Sequence, residues 1–220
     1  MCYADLPAWA RKPAPPRPHN VSSAKGINAM TKVLLIVDLQ DEYFPGGCLP
    51  LPHIAPAAEN VARLLTYFRE AKAPVVHVMH DSGAKDGAFS QSSKSWRLHH
   101  PAEPQSGENV IVKNHPNAFR LSWLHTTLQA MNVTELVIVG AQTQLCIDST
   151  ARSAIDFGYP TTVVVDACAA GDLEWNGERI PAEQVQRTFL AALDAILKLT
   201  TTAEILAAPL AGPAAAAQNI

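Results

Sequence analysis

Three residues of this chain supply the parts of a nucleophilic catalyst. Asp38 closes the apolar run 33–38 (VLLIVD), Lys113 closes 109–113 (NVIVK), and Cys146 follows the run 135–140 (ELVIVG) after the stretch Ala141-Gln142-Thr143-Gln144-Leu145. A thiol attacks as its thiolate, and a cysteine at the start of a helix feels the positive end of the helix dipole, which is expected to lower the pKa of Cys146. In this reading Asp38 is the general base that takes the thiol proton and later returns it to a leaving amine. Lys113 fixes the charge of that carboxylate and stabilises an anionic intermediate. Backbone N–H groups at the turn into the helix hold the oxyanion, a contribution of about 3 kcal/mol per donor. Taken singly, each residue has a plainer role: Asp38 as a helix cap, Lys113 as a solvated charge, Cys146 as a small buried hydrophobe. Three complementary groups at three strand ends carry an argument that no one of them carries alone.

The elements that must position them alternate along the chain. Apolar runs of strand length occupy 33–38, 74–80, 109–113, 135–140 and 161–167, and a short sixth strand is predicted over 202–206. Helical spacing appears in 56–72, where Val61, Leu64, Leu65 and Phe68 share a face, and again in 121–131. A third helix is predicted to start near Cys146, with Ile147, Thr150, Ala151, Ala154 and Ile155 on one face and Gly158 and Pro160 as its stop. Pro181 opens a fourth, predicted to run through 199 with Val185, Phe189, Leu193 and Ile196 inside. Strands that are apolar throughout, separated by amphipathic helices, predict an α/β fold: a three-layer α/β/α, doubly wound, mainly parallel sheet of about six strands. Sheets of this kind bind ligands beyond the carboxyl ends of their strands, where Asp38, Lys113 and Cys146 all fall.

Composition narrows the function classes. Lys and Arg number 17 against 20 Asp and Glu, the net charge is −3, and no basic cluster is interleaved with aromatics, so nucleic acid and anionic lipid have no electrostatic footprint. No apolar run approaches the roughly 20 residues of a membrane span. With 48% hydrophobic residues the 220-residue chain suits one globular domain, placed at 31–207. Residues 1–30, with the run PAPPRP, read as a flexible tail ahead of a candidate start at Met30, and 208–220 read as a second tail. Cys2, Cys48, Cys146 and Cys168 show no CxxC spacing, which fits a reducing cytoplasm. No GxGxxG follows a predicted strand, so dinucleotide binding is not expected.

Gln40, Phe44, His80, Trp96 and Phe119 are the candidates for contact with a small-molecule substrate, with Tyr43 beside them, and 96–100 (WRLHH) forms a candidate lid loop. His77 and His80 are read as sharing one face of a strand. Two ligands without a third make a poor metal site, so neither a metal nor an organic cofactor is expected.

At these residues the chain resembles the isochorismatase-like cysteine hydrolases. The stretches VLLIVDLQDEYFPGG, VKNHPNAF, VIVGAQTQLCIDSTARSAIDFGY and VVVDACAA carry the resemblance, in that order, across about residues 31–200. It implies an Asp-Lys-Cys triad of Asp38, Lys113 and Cys146, whose thiolate attacks the carbonyl of an amide, urea-like or lactam group before water releases the acyl-enzyme. It also implies a cis peptide joining Ala141 to Gln142, an oxyanion hole from the N–H groups of Gln142 and Cys146, and assembly as a homodimer or homotetramer. Retention of Cys146 favours acyl chemistry over cleavage of a vinyl ether. Two alternatives stay open: a vinyl-ether hydrolase with Asp38 as acid, and a non-catalytic binding or redox protein that uses Cys146 as an oxidisable thiol.

Overall fold

The computed structural model describes residues 31–210. The expected tail at 1–30, and 211–220 of the expected C-terminal tail, lie outside the described residues. The elements run β1 (Lys32–Val37), α1 (Ile54–Glu70), β2 (Val75–His80), β3 (Asn109–Lys113), α2 (Leu124–Ala130), β4 (Glu135–Ala141), α3 (Asp148–Asp156) and β5 (Thr161–Ala169), then a hairpin of β6 (Leu173–Trp175) and β7 (Glu178–Ile180), α4 (Ala182–Asp194), β8 (Lys198–Thr200) and α5 (Thr202–Ala207). The main sheet holds six parallel strands in the order β3-β2-β1-β4-β5-β8. From β1 the chain steps outward to β3, returns to the other side of β1, and steps outward again through β4 and β5 to β8. The order therefore reverses between β1 and β4, and the carboxyl ends of these strands flank the crevice where doubly wound sheets take ligands.

The unbroken apolar runs follow from burial on both faces. In β1, Leu34 and Ile36 pack with α1 and α5, whereas Val33, Leu35 and Val37 pack with α2, α3 and α4. This is the period of two of a strand, and all five side chains are fully buried. The architecture is the three-layer α/β/α one that the pattern predicts. Among the described residues no helix is long and apolar enough to cross a membrane.

The last third departs from expectation. The helix predicted through 199 stops at Asp194, Ile196 is exposed, and the sixth strand is Lys198–Thr200, paired with Thr162–Val164 of β5. The segment predicted as that strand is the helix α5. Its start is set by a capping box, in which the Thr201 hydroxyl accepts the Glu204 N–H while the Glu204 carboxylate accepts the Thr201 N–H at 2.8 Å. The hairpin β6–β7 was also not anticipated, although Asn176 and Gly177 at its turn, with φ of 51° and 79°, form the Asn-Gly pair that favours a tight hairpin.

Between β2 and β3 the long segment 81–108 contributes no strand to the sheet. Its end is fastened by Glu108, whose carboxylate lies 2.7 Å from Arg69 of α1 and 2.9 Å from His77 of β2. His77 and His80 stand three positions apart on one strand, so they point to opposite faces, and the expectation of a shared face is overturned. His77 is buried against Glu108, while His80 turns toward Lys113.

Candidate active site

Several local features bring the strand ends together. Asp38 is the first residue beyond β1 and has φ of 52°, a left-handed conformation that Asp tolerates better than most residues. Its N–H donates to the Val78 carbonyl at 2.9 Å, which ties the turn to β2. Lys113 ends β3, in register with His80 at the end of β2. Cys146 lies in a wide π-helical turn, Thr143–Ile147, where the Leu145 and Ile147 N–H groups both donate to the Gln142 carbonyl at 3.1 Å. The helix α3 begins only at Asp148, so Cys146 precedes it rather than opening it. The Ala141–Gln142 peptide bond is cis. Gly140, with φ of 122°, is the residue that permits the approach of β4 to β1, because a Cβ there would overlap the Val37 carbonyl.

The three side chains meet in a buried cluster of charge. The Lys113 ammonium lies 2.6 Å from Asp38 Oδ2 and 3.3 Å from Cys146 Sγ. Relative exposure is 0% for Asp38, 1% for Lys113 and 3% for Cys146, so water screens this cluster little. Burial by itself works against the Lys113 cation, but Asp38 and Cys146 outweigh it and hold the ammonium above its ordinary value. The Cys146 thiol departs from the sequence expectation. Burial first, and then the Asp38 carboxylate, push it well above the ordinary thiol range, with Lys113 opposing them. A resting thiol beside a carboxylate is set up to lose its proton only as it attacks.

A family model described as the Isochorismatase domain matches residues 32–204, which spans all three of these side chains. The chain belongs to the isochorismatase family. It is 40% identical to the isochorismatase family protein YddQ of Bacillus subtilis over 176 residues, covering 80% of this chain and 98% of that one. The crystal structure of an isochorismatase from Pseudomonas putida KT2440 superposes with a TM-score of 0.75 at 35% identity, over 79% of this chain and 89% of that one. Maleamate amidohydrolase, also from Pseudomonas putida, is 30% identical over 155 residues, covering 60% of this chain and 68% of that one.

Around Asp38, Lys113 and Cys146 of this isochorismatase-family hydrolase, the other candidate residues divide by what they touch. His80 belongs to the cluster, its Nδ1 3.1 Å from Lys113 Nζ. Gln40 and Trp96 serve His80. The Gln40 amide oxygen accepts the His80 N–H at 2.7 Å, its nitrogen donates to the carbonyls of His80 and Trp96, and the Trp96 indole N–H donates to the His80 carbonyl at 2.8 Å. With those polar groups committed to backbone, and both side chains buried, neither presents a free polar group to a ligand. Phe119 packs on Phe157, ring centroids 4.9 Å apart, in the core below α2 and α3. Phe44 stacks on His99 and lines a hollow of about 340 Å3 with Asp41, Gly46, Lys94 and Arg97. Asp38, Lys113 and Cys146 line neither this hollow nor the cavity of about 290 Å3 between the first turns of α1 and α4. Among the described residues no three His, Cys, Asp or Glu side chains gather closely enough to hold a metal ion.

Sequence reasoning passed over Glu42. Its fully buried carboxylate accepts the N–H groups of Cys48 at 3.0 Å and Phe89 at 3.2 Å, joining the loop after β1 to the loop after β2. Burial disfavours its charge, but hydrogen bonds from Ser93, Cys48 and Phe89 overcome that and hold it below the usual carboxylate value. Its partners lie 6 and 47 positions away, so no local spacing marks it. Tyr43 is buried beside the site, and burial followed by Asp38 and Cys146 pushes its phenol up, so it keeps its proton next to the Gln142 side chain.

Proposed function

We propose that this isochorismatase-family hydrolase cleaves the C–N bond of a small amide, urea-like compound or lactam through an acyl-thioenzyme. The observation that carries the reading is the buried ammonium of Lys113 held between the Asp38 carboxylate and the Cys146 sulfur. Asp38 takes the thiol proton as Sγ attacks the carbonyl carbon, and Lys113 remains a cation beside the developing negative charge. The N–H groups of Gln142 and Cys146 are the donors assigned to the oxyanion. Collapse of the tetrahedral intermediate breaks the C–N bond, and the proton on Asp38 passes to the leaving nitrogen. Water, deprotonated by Asp38, then adds to the thioester, and the thiol leaves with the returned proton. The three side chains, at 3% exposure or less, leave bulk water little access to the reacting groups. The kinship with maleamate amidohydrolase lends the amide reading support.

The test is turnover of a panel of small amides, ureas, N-carbamoyl compounds, lactams and isochorismate, followed by product mass, beside Cys146→Ser. Amide-type turnover that disappears in Cys146→Ser is the expected result. Turnover of isochorismate alone, retained in Cys146→Ser, moves the assignment to vinyl-ether hydrolysis.

A further inference from the structure

An ammonium has three N–H bonds and no lone pair, so a buried lysine needs three acceptors. Lys113 has three such neighbours: the ion-paired Asp38 Oδ2 at 2.6 Å, and the hydrogen-bond partners Cys146 Sγ at 3.3 Å and His80 Nδ1 at 3.1 Å. The third contact is attractive only when Nδ1 is unprotonated, because a second cation at that distance would repel the ammonium. We propose that His80 is a positioning residue, a neutral imidazole whose Nδ1 takes one N–H of Lys113 and so aims the other two at Asp38 and Cys146. The inference rests on the acyl-thioenzyme reading and adds to it a residue that acts through Lys113 rather than on the substrate.

The surroundings hold the imidazole to that task. Gln40 grips both the N–H and the carbonyl of His80, and the Trp96 indole adds a second donor to the carbonyl, so the ring starts from a fixed backbone. The Phe89 ring meets the imidazole edge to face with centroids 5.1 Å apart. Burial first, then the cation of Lys113, lower the His80 pKa. Asp38 and Asp81 act the other way, and His115 adds to the lowering. The remaining N–H of the neutral ring is therefore on Nε2. Losing the acceptor leaves one N–H of a buried ammonium unpaired, and the group can rotate away from the sulfur it stabilises as thiolate.

Three measurements test this. In the wild-type protein, 15N NMR of the imidazole is expected to find Nδ1 unprotonated and Nε2–H at neutral pH. A proton on Nδ1 overturns the proposal before any variant is made. Alkylation of Cys146 by iodoacetamide, which needs no substrate, is expected to slow at least about tenfold in His80→Leu, the scale of one lost hydrogen bond to a charged group. His80→Asn, whose Oδ1 stands near the place of Nδ1, is expected to recover most of that loss and to lack the acid limb that protonation of His80 gives the wild-type rate. Equal rates in His80→Leu and wild type, or His80→Asn as slow as His80→Leu, refute the role. On a turned-over amide, the loss in His80→Leu is expected in kcat, with KM nearly unchanged. If Cys146→Ser keeps its activity, the acyl mechanism fails, while the tautomer and alkylation results still decide the place of His80.

Discussion

Replacing Lys113 by Met tests the charge cluster most directly. The two side chains are of similar length, but Met cannot neutralise Asp38, whose carboxylate stays fully buried beside a thiol that has been pushed away from ionisation. Breaking a buried pair by removing one partner costs about 3–5 kcal/mol, because the remaining charge stays desolvated, whereas replacing both partners by neutral groups is often close to neutral. With the pair at 2.6 Å and exposures of 0% and 1%, Lys113→Met is expected at the upper part of that range. Asp38→Asn combined with Lys113→Met is expected to recover about 3 kcal/mol relative to the sum of the single changes. Urea unfolding of the four proteins at pH 7.5, with the slope checked for constancy, measures the coupling. Alkylation of Cys146 in the same series adds a functional reading: loss of Lys113 removes the group that opposes the rise in thiol pKa, so the rate falls. Single changes that add without coupling, or a Lys113→Met protein within about 1 kcal/mol of wild type, would falsify the closed, desolvated pair on which the mechanism depends.

Two further outcomes concern the frame that holds the site. Burial alone would raise the Glu108 pKa, but Arg69, His77 and the Gln105 N–H bring it down from 4.5 to about 2. A depressed carboxylate adds stability above its unfolded pKa, and that stability is lost as pH falls toward the folded value. Glu108→Gln is therefore expected to cost about 3 kcal/mol at pH 7, shrinking steadily below pH 4.5, and a pH-independent difference in urea midpoints would contradict this pairing. Gly140→Ala is expected to lose about 3 kcal/mol or more, since the new methyl meets the Val37 carbonyl and the φ of 122° suits only glycine. Thermal unfolding at the wild-type midpoint would show that β1 and β4 do not approach as described.

Much of the fold is legible in the chain because its strands are buried on both faces. A run such as 33–38 has no polar side to lose, so its apolar character survives in one dimension and marks β1 without knowledge of its neighbours. Asp38, Lys113 and Cys146 stand out for the same reason: each is a chemically reactive or charged residue at or soon after the end of such a run. In the region after α4 the strand β8 is fixed by a distant partner, whereas the Thr201-x-x-Glu204 capping box that starts α5 is a local signal that the apolar pattern of 202–206 obscured. Pairing with β5 decided the strand, and the cap of Thr201 by Glu204 decided the helix.

The roles around Asp38, Lys113 and Cys146 belong to the tertiary structure. Gln40 and Trp96 look like substrate contacts as residue types, yet their polar groups grip the His80 backbone. Phe119 is a core aromatic, and Glu42 is a latch between two loops that sequence separation hides. The thiol pKa changed direction for the same reason. A helix dipole is a local property that sequence can suggest, whereas burial and a neighbouring carboxylate exist only after β1, β3 and β4 have come together. Residue type and strand period are one-dimensional facts, so the chain alone sets which chemical groups arrive at the crevice. Which of them lose water and which touch follows only from the assembled sheet, because desolvation and charge pairing depend on distances in space.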